Sequence, residues 1–237
     1  MPSRLTSERR WFHDLLDFVY PPLCLGCGEF AENSELICER CLDEIDTFSQ
    51  PICLSCWQSI PSGATCKACG EEGFALFAYG DYTDPLKQIV IQYKFKGMTS
   101  VAQVFAPDIS NTFGDNVTSL APDYLVPIPL HSGREYSRGY NQAEILANEL
   151  SVVLDVPVEC DLIYRTKRRT PQSRLSEAAR ERNIKGVFEV PEESGQGETL
   201  ILVDDVVTSG STVKEAKRML ESAGYKVPAV ISLAHGI

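Results

Sequence analysis

Phe12, Leu15, Leu16 and Val19 recur at i, i+3, i+4 and i+7, one face of a helix, and Pro21-Pro22 then stops the pattern. Residues 1–22 are therefore expected to form a short amphipathic helix that packs on a neighbouring domain. Arg4, Arg9 and Arg10 make only a thin basic face for a membrane surface. From residue 73 onward the pattern alternates. Runs of apolar residues at Phe74–Tyr79, Asp123–Leu130, Val156–Tyr164, Gly186–Val190, Leu200–Val203 and Val227–Leu233 read as strands. Between them, Leu86, Ile89, Val90 and Tyr93, then Ala143, Leu146, Ala147 and Leu150, then Val213, Ala216, Met219 and Leu220 read as helical stripes. Leu200-Ile201-Leu202-Val203 has no polar alternation at all, the mark of a strand buried on both faces of a parallel sheet. The expected fold is α/β over residues 73–237, a parallel sheet flanked by helices. The prolines at 127 and 129 push their strand toward an edge or mark its exit into a loop.

Composition narrows this picture. At 237 residues with 43% hydrophobic content, the chain has room for one full α/β domain plus a small one. A net charge of −11 argues against a general nucleic-acid coat, which relies on excess Lys and Arg. Asp14 and Asp17 interrupt the N-terminal apolar residues, so no signal-peptide core is expected, and no apolar run approaches the length of a membrane span. A cytoplasmic location follows, where clustered cysteines point to metal rather than disulfides.

Eight of the nine cysteines fall into four Cys-x-x-Cys pairs: Cys24 with Cys27, Cys38 with Cys41, Cys53 with Cys56, and Cys66 with Cys69. Each pair can present two thiolates to one ion, and two pairs complete the tetrahedral Cys₄ set of a structural zinc. Two Zn²⁺ ions in a double ribbon over residues 23–72 are expected. Either consecutive or alternate pairs can share an ion, and the short gaps favour consecutive ones. Fe–S binding and a redox Cys-x-x-Cys are the competing readings. Gly26 and Gly28 suit tight knuckle turns, and the Gly-x-Gly they form follows no strand. The ninth, Cys160, reads as a buried apolar residue.

The chemistry concentrates after Val203. Asp204 and Asp205 are expected where the strand ends, followed by Val206-Val207-Thr208-Ser209-Gly210-Ser211-Thr212 and a helix. Open strand ends are where α/β folds bind ligands, and a helix N-terminus offers free N–H groups to a phosphate. Thr208, Ser209, Ser211 and Thr212 add hydroxyls, while Gly210 allows close backbone approach. Two acids one sugar away suit ribose hydroxyls or a Mg²⁺ bridging sugar and pyrophosphate. This is the layout a 5-phosphoribosyl group requires. A Walker B strand also ends in acids, but the chain holds no matching phosphate loop of the G-x-x-x-x-G-K-[ST] type.

Three further stretches carry positive charge. Lys94-Phe95-Lys96-Gly97 ends the first α/β helix, where lysines suit the dipole and can also reach a pyrophosphate. The loop His131–Gly139 offers Arg134 or Arg138 to fork onto pyrophosphate oxygens, with Gly139 clearing space. Arg165, Lys167, Arg168, Arg169 and Arg174 then form a basic excursion between strands, followed by a short helix from Ser176. Such a segment suits a lid over an anionic substrate or a grip on a single-stranded DNA backbone.

The strand, acidic pair and Thr-Ser-Gly-Ser-Thr turn resemble the 5-phosphoribosyl-1-pyrophosphate (PRPP) motif of type I phosphoribosyltransferases. Read with the Cys₄ knuckles, Lys-Phe-Lys-Gly, Val-Pro-Ile-Pro-Leu, Arg138-Gly139-Tyr140-Asn141-Gln142 and Arg-x-x-x-x-Pro-Gln-x-x-Leu, nearly the whole chain resembles the ComF family. The resemblance implies a double zinc ribbon joined to a phosphoribosyltransferase-like domain. It also implies work in DNA uptake or the use of imported DNA, beside a competence helicase. Asp204, Asp205, Thr208, Gly210 and Thr212 match the family's PRPP positions, and Ser209 keeps the hydroxyl of the more usual Thr. Two functions stay open. One is transfer of ribose 5-phosphate from PRPP to a nitrogen nucleophile, for which His13, His131 and His235 give no base beside the acids in sequence. The other is a non-catalytic module that senses a phosphoribosyl nucleotide or binds single-stranded DNA.

Overall fold

A five-stranded sheet carries the acidic pair. In this computed structural model, residues 22–31, 35–130, 139–166, 186–191 and 195–236 are described. The first two strands are β1 (Ile52–Cys53) and β2 (Ala75–Asp81). Helices α2 (Leu86–Phe95) and α3 (Val101–Ser119) follow α1 (Glu39–Asp43) in the chain. Next come β3 (Tyr124–Pro127), α4 (Gln142–Leu154), β4 (Tyr164–Arg165) and β5 (Phe188–Glu189). The chain closes with β6 (Thr199–Val207), α5 (Ser211–Ser222) and β7 (Lys226–His235). The sheet order is β1-β2-β7-β6-β3, antiparallel only between β1 and β2, and β4 pairs with β5 apart from it. Among the described residues no helix is long and apolar enough to cross a membrane.

The alternation of a strand explains how one apolar run feeds two cores. Ile201 and Val203 belong to the cluster that holds Leu86, Ile89, Phe105 and Leu146, so α2, α3 and α4 cover that face. Leu200 and Leu202 belong to the cluster with Val213, Ala216 and Leu220, where α5 covers the other. All four strand residues are fully buried, each such side chain contributing roughly 1.5–3 kcal/mol of hydrophobic stabilisation. Beyond these four residues, Asp205 meets Lys94 of α2.

Three readings change with the structure. Strand β6 does not stop at the acids but runs through them to Val207, because β7 pairs alongside that far, Asp204 opposite Ser232 and Val207 opposite His235. Only β3 leaves early: its last pair is Pro127 with Val203, so the acids emerge beyond its end. The run Val156–Tyr164 is not one strand. Val158 makes a single parallel bridge to Leu125, after which Glu159 accepts the Asp161 amide through its side chain and turns the chain away. Cys160, expected inside, is exposed. Helix α3 fills a stretch for which no element is predicted above: Val101, Phe105, Ile109, Phe113 and Val117 form its buried stripe, and Pro107 lies inside it. The N-terminal helix falls almost wholly in residues 1–21, outside the described residues.

Candidate functional site

Four knuckles with one backbone plan build the cysteine centres. In each pair the residue after the second cysteine donates its amide to the carbonyl of the first: Gly28 to Cys24, Leu42 to Cys38, Trp57 to Cys53 and Gly70 to Cys66. The thiols gather as Cys24, Cys27, Cys38 and Cys41, and as Cys53, Cys56, Cys66 and Cys69, with all sulfurs of a set within 4.8 Å of one another. Consecutive pairs therefore share a centre. The sulfur separations of 3.9 Å for Cys27 and Cys38, 3.9 Å for Cys53 and Cys69, and 3.6 Å for Cys56 and Cys66 exclude disulfides. They match the edge of a tetrahedron whose metal–sulfur bonds are about 2.3 Å, roughly 3.8 Å.

Charge follows the same plan in both centres. Burial opposes ionisation of Cys24, but amides of Cys38, Cys27 and Gly26 outweigh it and bring the thiol down to about 6. At Cys53 burial is likewise outweighed by the amides of Phe74, Cys56 and Ser55, again to about 6. Burial and the neighbouring thiols push Cys41 up, and the Cys56 thiol is the first cause of raising Cys69 to about 12. Four thiols so close cannot all ionise without a cation between them, so the two Cys₄ sets fit two structural zinc ions. Neither set leaves a coordination position for chemistry.

The acidic pair opens into a cleft of about 180 Å³ lined by Lys94, Ile128, Asn141, Arg165, both acids and Thr212. The structure thus brings together residues expected at a sugar, a pyrophosphate and a lid. Lys94 Nζ lies 2.9 Å from Asp205, with both side chains mostly buried. Asp204 is raised to about 7, first by burial and then by the Asp205 charge, with Lys94 and Arg165 working against the rise. Asp204 also accepts the Asp205 amide at 2.8 Å. Arg165 is held with its guanidinium 5.6 Å from the centre of the Phe188 ring.

Beyond β6 the chain turns through Thr208 and Ser209 to Gly210, whose φ of 73° is left-handed and favours glycine. Gly210 is the residue before the first turn of α5 and brings no side-chain cap, so the first amides of α5 keep their donors for an anion. Ser209 and Ser211 hydroxyls share a 2.6 Å hydrogen bond across the turn. Arg134, Arg138, Lys167, Arg168, Arg169 and Arg174 lie outside the described residues, and Gly139 is described with a φ of 78°.

Several residues that position this cleft carry no reactive signature. Tyr140 donates to the Tyr93 carbonyl at 2.6 Å and accepts the Gly97 amide at 3.1 Å. Tyr93 donates back to the Gln142 carbonyl at 2.6 Å. Asn141 caps α4 through the Ala143 amide while donating to Ile128, the residue after β3. Tyr-Asn-Gln is therefore a clamp between the end of α2, which carries Lys94, and the exit of β3. Only Asn141 left a local signal, a polar acceptor just before an apolar helical stripe. On the other side, buried Glu215 of α5 accepts the Gly186 amide at 2.8 Å and pairs with Arg218, anchoring the chain just before β5. Tyr140→Phe should lower unfolding stability by about 1–2 kcal/mol in urea titration, because two backbone groups lose their partner. An unchanged midpoint would show that the clamp contributes nothing.

The parallel sheet, the acidic pair and the uncapped turn define a phosphoribosyltransferase-type domain, to which a double zinc ribbon is joined. Comparisons with known proteins agree: residues 15–72 match the double zinc ribbon domain and residues 137–236 the phosphoribosyl transferase domain. The DNA utilization protein YhgH of Escherichia coli K12 is 31% identical over 201 residues, 84% of this chain and 77% of that one. Competence protein F of Haemophilus influenzae is 28% identical, covering 90% of each chain. Competence protein ComFC of Bacillus subtilis is 29% identical over 87% of this chain and 91% of its own length. The chain belongs to the ComF family.

Proposed function

We propose that the cleft binds PRPP or a nucleoside 5-phosphate together with Mg²⁺, and that the chain transfers the phosphoribosyl group in the uptake or use of DNA. The observation that supports this best is the pairing of Lys94 with Asp205 beside a half-buried Asp204, one turn of chain before an uncapped helix start. Two adjacent carboxylates with one lysine leave room for a divalent cation, and the residues fit oxygen ligation. In this reading the amides and hydroxyls from Thr208 to Thr212 take the 5-phosphate. Asp204 and Asp205 take the ribose hydroxyls, and Lys94, Arg134, Arg138 and Gly139 take the pyrophosphate. When bound, Mg²⁺ supplies charge neutralisation at the pyrophosphate that leaves. Arg165, Lys167, Arg168, Arg169 and Arg174 serve as a basic lid over the anion. The names of the relatives support the DNA context.

Calorimetry with PRPP and Mg²⁺, followed by a pyrophosphate-release assay over a panel of bases and single-stranded DNA, tests the proposal. Absence of binding to PRPP and to any nucleoside 5-phosphate at millimolar concentration would reject it. Binding without pyrophosphate release would leave a sensing module instead of an enzyme.

The Asp204 carboxyl adds a pH dependence. Its value of about 7 lies above the ordinary 3.8, so between about pH 4 and 7 the folded chain holds a proton that the unfolded chain releases. The stability this brings is present at the acidic end and lost as pH rises through 7. Magnesium-dependent ligand binding should run the other way, tightening from pH 6 to 8 as the carboxylate becomes available. Asp204→Asn should flatten both profiles, measured by urea midpoints and by titration at the two pH values. A binding profile that keeps its slope in Asp204→Asn would assign the proton to another group.

A further inference from the structure

The second cysteine centre lies against the phosphate loop. Its ligand Cys53 is part of β1, so one metal site shares the sheet that carries the acids. Leu54, between two ligands, is fully buried in the core with Val213 and Ala216 of α5. Its methyl groups lie 3.5 and 3.6 Å from the point a side chain on Gly210 would occupy. Trp57, just after Cys56, stacks on His235 with ring centres 5.4 Å apart and planes 18° apart. The His235 ring Nδ1 is 2.8 Å from the carbonyl of Val207, where the loop begins. On the far side of the loop, the Lys214 ammonium sits 5.2 Å over the Trp57 ring, and its amide donates to Gly210 at 2.9 Å.

The backbone at Trp57 adds a second observation. Gly28 and Gly70 occupy the same position in their own knuckles, with φ of 73° and 58°. Trp57 takes that left-handed conformation at a φ of 63°, where a bulky side chain is disfavoured. The other two knuckles with a left-handed residue there use glycine, so the indole is held for what it touches: His235, Lys214 and through them the loop.

We propose that Leu54 and Trp57 are positioning residues for the phosphate loop, and that metal at Cys53, Cys56, Cys66 and Cys69 fixes residues 207–210 through them. Among the described residues the first centre lies elsewhere, its Gly26 facing Pro85 before α2. The ligand arm of the test rests on the function proposed above, and the exchange arm does not.

Full-length zinc-loaded protein carrying Trp57→Gly keeps the knuckle backbone and loses only the indole. Amide hydrogen exchange over residues 207–212 is expected to speed up about tenfold while zinc stays at two per chain, and Trp57→Phe should restore most of the protection. Unchanged exchange in Trp57→Gly overturns the proposal. Cys69→Ser and Cys38→Ser, each expected to lose one zinc, separate the centres. Faster exchange at 207–212 in the first and not in the second supports the assignment, and equal effects overturn it. With Trp11→Phe, Trp57 is the one tryptophan left, and PRPP with Mg²⁺ should shift its emission. Calorimetric binding with no emission change overturns the coupling, whereas no binding at all rejects the proposed function and leaves the exchange result to judge the loop.

Discussion

Changing Asp204 and Asp205 together to Asn is expected to weaken PRPP binding in the presence of Mg²⁺ by about a hundredfold or more. Asn keeps the size of each side chain and most of its hydrogen bonding but removes the charge. Each charged hydrogen bond lost is worth roughly 1.5–3 kcal/mol, and two such losses multiply. The fold should not suffer in proportion. Burial and the neighbouring acid already disfavour the charge on Asp204, so its removal relieves repulsion, although Lys94 is left without the Asp205 carboxylate. Calorimetry against PRPP, with circular dichroism to confirm the sheet, measures the effect. Equal affinity of the double variant and the wild type would show that packing and the loop amides hold the ligand without the acids. Gly210→Val reports on the other half of the site. A side chain there meets Leu54 and Lys214 only at ordinary contact distance, so the damage comes from the left-handed backbone, at a cost of order 1–3 kcal/mol.

Removal of zinc should have the largest effect on stability. Metal analysis is expected to return two Zn²⁺ per chain, and a structural zinc contributes roughly 10 kcal/mol or more to a small unit of this kind. Around the first centre the buried apolar residues other than its cysteines are Ala31, Ile37 and Ile45 among the described residues, a small core, so chelation should melt that ribbon. The sheet signal should survive, because β2, β7, β6 and β3 pair with one another without β1. Iron, or free thiols with no metal, in the purified protein would refute the zinc assignment, and collapse of the whole sheet signal would show that the ribbon supports the domain throughout.

How much of this was legible in the sequence depends on the range of each interaction. Cys-x-x-Cys spacing sets two thiols on one turn whatever surrounds them, so the two zinc centres and their ligands could be read directly. The same holds for Leu200–Val203, whose four apolar residues require cover on both faces, and for the Thr-Ser-Gly-Ser-Thr turn, whose glycine and hydroxyls are a local property. Pairing of consecutive knuckles was favoured by short gaps and is what the structure has.

Tertiary structure decided the rest. Lys94 meets Asp205 only because α2 packs on the face of the sheet toward which Asp205 points, and the sequence contains no sign of which helix covers which face. Tyr140 looked like one residue of a signature, and its two hydrogen bonds to the end of α2 depend on where β3 lets the chain out. Trp57 reads as one aromatic residue in a cysteine-rich segment until β1 joins the sheet beside β2 and β7 brings His235 beneath it. The chemistry of each group was local and written in residue type, whereas the company it keeps follows from strand order, which arises from the burial of the whole chain at once.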